Sequence, residues 1–269
     1  MKRVLTGLAA LVLAACAVQE QKTEYARFAE PPKNEQRPFE DKIIRTPESA
    51  NYYLSGLDYK HKALTEKDEL KRAEWIALAV SDFHVSEYFG KHVYESIVEQ
   101  ADCLSLGNNH KQALQTIDRA LEMKETPEAY NVKGNVWNRI GANEFAIQLY
   151  EKAISIKDNA ESHWGIYEAN MKLGITKEGI IIENIEKALK ASETYVSMEK
   201  ELPDGYAALG AAQAIIAMAT NDEKLLMKAN NNMSEALKKL EKTPFQHKEL
   251  DKDALKESYE KTRQKNKEY

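Results

Sequence analysis

Asp82, His84, Glu87 and His92 are the nearest the sequence comes to a reactive constellation, since imidazoles and carboxylates on one stretch are the side chains that hold zinc or move protons. His84 and Glu87 are three residues apart and share a face of a helix. His92 lies eight residues past His84 and beyond Gly90, away from that face, so the spacing falls short of a metal site. His110 occupies an aromatic-type position in an apolar pattern and reads as packing. His163, just before Trp164 at a helix start, reads as a capping or exposed side chain. The chain has no HExxH, paired CxxC, GxSxG, GxGxxG or GxxxxGK motif. The expectation is a non-catalytic protein with no metal and no cofactor.

A different chemistry is written into AYNVKGNVWNRIGANEFAIQLYEKAI, Ala129 to Ile154. At about 100° per residue, Asn131, Asn135 and Asn138 fall on one helical face with Glu128 and Arg139. Tyr130, Val132, Val136, Trp137 and Ile140 fill the opposite arc, wide enough to bury. An amide both donates and accepts, so it can pair with a partner's backbone whatever the partner's sequence, or simply face water. One side is expected to hold the fold together, the other to be left for solvent or a partner.

The elements that carry these residues are helical. Ala, Leu, Lys and Glu are abundant, and only 11 Gly and 7 Pro are spread over 269 residues. Helix starts are signalled by Thr46-Pro47-Glu48, again by Thr126-Pro127-Glu128, and more weakly by Leu202-Pro203-Asp204. Recurring start signals call for a repeat search. At a shift of 33, Ala101, Ala113, Leu114, Ile117, Ala120 and Leu121 map onto Gly134, Ala146, Ile147, Tyr150, Ala153 and Ile154. Tyr130 maps onto Trp164 at 34, and Ala146, Tyr150, Ala153 and Ile154 map onto Ile181, Ile185, Ala188 and Leu189 at 35.

This pattern resembles the tetratricopeptide repeat, most closely over 127 to 160, where Tyr130, Gly134, Trp137, Ala146, Tyr150 and Ala153 stand at its signature positions. Lys133 departs from the family's usual leucine, and Glu168 replaces the small crossing residue of the third copy. Leu57 with Ala73, Ala77 and Val80 suggests an earlier degenerate pair. Tyr206, Leu209 and Gly210, the alanine-rich run to Ala219 and a helix from Met233 to Leu240 suggest a later one, with an insertion at Asn230 to Asn232. The resemblance implies an all-α, right-handed solenoid of about four to five helix pairs, whose groove, lined by Glu128, Asn131, Asn135, Asn138 and Arg139, holds a protein or peptide.

The N-terminus pairs Lys2 and Arg3 with a short apolar run, Val4 to Ala15, as a secretory signal does. That run is too short to span a bilayer, which takes about 20 helical residues. It ends in Leu13-Ala14-Ala15-Cys16, which resembles the lipobox of bacterial lipoproteins. The resemblance implies cleavage before Cys16, its acylation, and, with Ala17 following, an outer-membrane address. Several acyl chains anchor firmly where one alone holds marginally. Cys103 then stands without an intramolecular mate and reads as a small buried residue, a Cys16–Cys103 disulfide being the alternative. Residues 16 to 46 are polar and proline-punctuated, a tether of roughly 30 Å mean span if flexible. Loss of residues 1 to 15 takes the formal charge from -5 to -7. That balance argues against a grip on nucleic acid, which relies on Lys and Arg.

The resulting organisation is a signal peptide (1–15), a lipidated tether (16–46), a repeat domain (47–242) and a charged tail (243–269) that ends the chain as a solvated helix or frayed end. The expected function is an outer-membrane-anchored adaptor in envelope assembly, with an envelope protein or peptide in its groove, the membrane as a second partner through the lipid, and self-association open. The alternative is a component of a periplasmic solute transport system binding a small molecule, the alanines from Ala207 to Ala219 lining a pore or pocket.

Overall fold

A computed structural model describes residues 51–268, except Lys91, Lys248 and Glu249. Cys16, the lipobox, the tether and the Thr46-Pro47-Glu48 signal lie outside the described residues. Among the described residues there are eleven α-helices and no strand; an isolated antiparallel bridge joins Ile175 to Ile180. The fold is all-helical and tetratricopeptide-like, built from helical hairpins that pack on their neighbours in chain order within each of two compact units. The chain divides into two compact units at Glu125 and Thr126.

The first unit contains α1 (Asn51–Thr65), α2 (Glu69–Tyr88), α3 (Val93–Leu106) and α4 (His110–Met123). Asp68 caps α2 by accepting from the amides of Leu70 and Lys71 at 3.0 and 3.1 Å. The first hairpin closes through Gly56, where a Cβ would stand 2.7 Å from the Phe83 ring. Phe83 clusters with Ala79 and the fully buried Cys103. The register differs from the expected Ala73–Ala77–Val80 set: Ile76, Ala79 and Phe83 are buried and Ala77 is exposed, because three- and four-residue steps from the ring that fills Gly56 pass through those positions. Lys60 on α1 reaches Glu99 at 2.6 Å and Asp102 at 2.7 Å on α3. Burial works against its charge, but the carboxylates of Asp102 and Glu99 outweigh it and hold the ammonium protonated.

The second unit contains α5 (Pro127–Ile140), α6 (Asn143–Ile156), α7 (Ala160–Gly174), α8 (Ile182–Met198), α9 (Pro203–Thr220), α10 (Glu223–Lys239) and α11 (Lys252–Glu268). Thr126 caps α5 by accepting from the Ala129 amide at 3.3 Å, with Pro127 in the first turn. Gly141, at φ 95°, ends the helix in the left-handed region that suits glycine. Tyr150 of α6 is fully buried between α5 and α7. A Cβ on Gly134 or Gly165 would lie 2.6 or 2.4 Å from its ring. Ala146 and Ala153, one turn to either side, are fully buried.

Five expectations need correcting in this unit. The third copy crosses at Gly174, where a Cβ would meet Ile185 at 2.3 Å, rather than at Glu168. Ile181, mapped onto buried Ala146, is instead 46% exposed, because it sits at the N-cap of α8 after the turn that the Ile175–Ile180 bridge closes. Asn230 to Asn232 form no insertion: α10 runs straight through them, Asn232 donating to Gln213 on α9 at 2.7 Å and Asn230 accepting from Thr262 on α11. Most of the α9 alanines expected to line a pore or pocket are packed in the core instead, Ala211 being half-buried and Ala219 exposed. Ala207, Ala208, Ala212, Ala214 and Ala217 are at most 3% exposed, since α8, α10 and α11 cover the helix. Within 243–269, α11 is more than a solvated helix, for it buries Leu255, Ser258 and Thr262.

Gly134→Ala and Gly165→Ala are each expected to destabilise the chain by about 1–3 kcal/mol through overpacking against Tyr150. Urea unfolding followed by far-UV circular dichroism measures the loss. An unchanged midpoint in both would contradict the slot.

Candidate functional site

The amide face of α5 is a seam rather than an open surface. Asn131 is 6% and Asn138 3% exposed, covered by α7. Asn131 donates to Asn159 Oδ1 at 3.0 Å and accepts from the Ser162 hydroxyl at 2.6 Å. Asn159 in turn caps α7 by accepting from the Ser162 amide at 2.9 Å. Asn138 donates to Glu168 at 3.3 Å, and the Lys172 ammonium donates to Asn138 Oδ1 at 3.1 Å. Asn135 accepts from the Tyr150 hydroxyl at 2.8 Å. The expectation that these amides face outward fails for a physical reason: each donates or accepts across a helix–helix contact that would otherwise bury an unsatisfied group. Burial pushes the Tyr150 phenol well above its ordinary range, so the hydroxyl stays a donor. Of the five proposed groove residues, Glu128 remains exposed and Arg139 half-buried.

The aromatic signature positions divide differently. Tyr150 is the buried ring, whereas Trp137 is half-buried and meets Phe145 edge-on at 5.1 Å. Tyr130 is half-buried, with the Lys152 ammonium 5.8 Å from its ring centroid.

A second polar site, which the sequence reading did not foresee, lies where α7, α8 and α9 meet. Trp164 and Tyr195 are each 3% exposed, with ring centroids 5.4 Å apart. The His247 imidazole, from the segment between α10 and α11, stacks on Trp164 at 3.8 Å and 7°. Its Nε2 lies 3.3 Å from the Tyr195 hydroxyl. Asp204, in the first turn of α9 and fully buried, accepts from the backbone amides of Gln246 at 2.8 Å and His247 at 2.7 Å. Burial lowers the His247 pKa from its ordinary 6.5 to about 3, so the ring is neutral at pH 7. The Leu202-Pro203-Asp204 start signal and the repeat position of Trp164 pointed at this place, but nothing in the spacing linked them to a histidine 43 residues beyond Asp204.

In the first unit the Asp82–His92 run disperses. Glu87 pairs with Arg119 and has His84 at 4.0 Å, while His92 stacks on Tyr53 at 4.9 Å. Among the described residues no three His, Cys, Asp or Glu side chains are placed to hold a metal ion. His163, expected as capping or exposed, pairs with Asp158 at 2.7 Å.

No family model matches the chain. A 49-residue stretch is 35% identical to the TPR repeat-containing protein MJ1345 of Methanocaldococcus jannaschii, covering 18% of this chain and 16% of that protein. The chain thus spans about a sixth of the length of the curated relative it matches, at 16%. Among solved structures, one of MamA protein is similar at TM-score 0.48 and 16% identity, covering 73% of this chain and 94% of that one. MamA 41-end from Desulfovibrio magneticus RS-1 gives 0.48 and 15%, covering 71% and 97%. The TPR2AB-domain:pHSP90 complex of yeast Sti1 gives 0.38 and 14%, covering 80% and 98%.

Two outcomes follow from the two polar sites. Asn131→Ala and Asn138→Ala are each expected to cost about 1–2 kcal/mol in urea unfolding, because partners on α7 lose their hydrogen bonds; no loss in either would return the amides to the surface. For His247 the folded pKa lies below the ordinary one, so docking of its segment is at full strength above pH 6.5 and weakens as pH falls from there toward 3. At pH 5 the loss is about 2 kcal/mol. Trp164 emission in a W75F/W137F background reads it, and His247→Phe should abolish the dependence above pH 4; an identical profile in that variant would refute the assignment.

Proposed function

We propose that this chain is a lipid-anchored adaptor of a bacterial envelope, binding other proteins through its tetratricopeptide-like hairpins. The binding reading rests on one observation: the signature of residues 127–160 is realised as an α5–α6 hairpin locked to α7 around Tyr150. Such hairpins present rows of side chains on a rigid frame, and a protein partner can be read by several helices at once. The partner would meet α5 at Glu128 and Arg139, while Asn131, Asn135 and Asn138 act by fixing α5 to α7. Within envelope assembly, the pattern is compatible with pilus biogenesis and with recruitment of cell-wall enzymes.

The anchor reading rests on Leu13-Ala14-Ala15-Cys16 at the end of a charged-then-apolar N-terminus. Acylation of Cys16 would hold the hairpins at the outer membrane, facing the periplasm, with the stretch to residue 46 as spacer.

Expression of the full chain with a C-terminal tag, followed by detergent-phase partition, tests the anchor. The natural sequence should partition into detergent and incorporate labelled palmitate, and Cys16→Ala should do neither. Equal partition of both would remove the anchor from the reading. Affinity capture from native membranes, with Glu128→Lys/Arg139→Glu as the comparison, tests the binding surface: partners should be lost from the variant, and an unchanged set would exclude the α5 edge.

A further inference from the structure

The segment that joins α10 to α11 behaves as a ligand of its own repeat unit. Residues 240–251 span this connection, whereas Gly141 and Ala142 suffice between α5 and α6. Thr243 to His247 contains no helix. It is held by Asp204, which reads two successive backbone amides, and by the flat contact of His247 with Trp164. Phe245 adds a partly buried ring against the same core, while Pro244 and Gln246 point to solvent.

The receiving side is built without help from the segment. Trp164 meets Tyr167 at 5.3 Å and Tyr195 at 5.4 Å, so the aromatic wall stands on α7 and α8 alone. Gly205 lets the start of α9 press against α8, since a Cβ there would stand 2.7 Å from both Tyr195 and Val196. That approach fixes Asp204 beside the wall. A carboxylate oxygen that accepts two successive main-chain N–H groups selects for a bent backbone, since successive N–H groups of an extended chain point apart, and not for a side chain; the ring wall selects one flat residue. Both features can be supplied by any chain of the right local shape.

We propose that Trp164, Tyr195 and Asp204 form a peptide-docking site whose resident is the chain's own Thr243–His247. A partner segment with the same bend competes for it by offering two successive backbone N–H groups and a flat, uncharged ring on the second residue. The tethered segment keeps the site closed until such a partner arrives at sufficient local concentration. This inference rests on the reading of the chain as a protein-binding module and names one of its sites.

The probe is a fluorescein-labelled peptide, acetyl-Lys-Thr-Pro-Phe-Gln-His-amide, copied from Lys242–His247 and titrated with the full chain by anisotropy. Phe245→Ala/His247→Ala, which weakens the resident, should bind it at least tenfold more tightly than the natural chain. Adding Trp164→Leu/Asp204→Ala to that variant should remove the gain. Equal curves for the natural and weakened chains, or a gain that survives loss of Asp204 and Trp164, would overturn the proposal. A measurement on the natural chain needs no variant to fold: excess peptide should speed hydrogen exchange at the amides of Gln246 and His247 at least tenfold, and no change would equally overturn it. Failure of these tests leaves membrane capture at the α5 edge untouched, whereas failure of that capture with successful competition would sink the adaptor reading and leave the docking site.

Discussion

The structure depends on large side chains seated where glycine leaves no Cβ. Tyr150 is the fullest case, its ring held between Gly134 and Gly165, so a residue of α6 closes its own hairpin and the next helix at once. Phe83 on Gly56, Ile185 on Gly174 and Met233 on Gly210 repeat the arrangement within their own hairpins. Interiors pack at crystal-like density, and a methyl group added at such a contact has nowhere to go. The small-and-large alternation therefore sets where helices cross, and the polar residues take whatever positions that crossing leaves them.

The asparagines illustrate this consequence. Once Tyr150 pins α5 to α7, the face bearing Asn131 and Asn138 is drawn into the contact and the amides have to find partners there. Asn135 completes the same lock from the polar side by accepting the Tyr150 hydroxyl. Asn230 and Asn232 serve α10 likewise, toward Thr262 and Gln213. An amide that donates and accepts suits a helix seam as well as it suits a partner's backbone, and the crossing geometry decides between the two uses.

Helix type, the 33-residue recurrence and the hairpin at 127–160 were legible because apolar periodicity and the Thr-Pro-Glu start are local signals. Tyr150, Ala146 and Ala153 were readable as packing for the same reason. The burial of Asn131 and Asn138 was not, since a single-helix projection gives the direction of a side chain and not what lies opposite. Ile181 was misplaced because a shift of 35 counted a turn as though it were helix. The Trp164–His247 stack was illegible for a plainer reason: it joins residues 83 positions apart through a segment with no period of its own.

Why a carboxylate stands at position 204 can be argued from the cost of burying it. An unpaired buried charge is expensive, and Asp204 offsets that expense with two main-chain donors and its place at the positive end of α9. Both amides converge on Oδ1, so a neutral Asn could still offer its oxygen to them but would lack the charge that strengthens both bonds and meets the positive end of α9. The charge is therefore matched to an incoming backbone and poorly matched to water-free burial alone. Removing the segment would leave the carboxylate without those two amides and Trp164 without its stacked ring, so a peptide lying across α7, α8 and α9 completes the polar and stacking contacts of a wall that those helices already hold in place. The chain supplies that peptide from its own sequence, on a connection long enough to let it go.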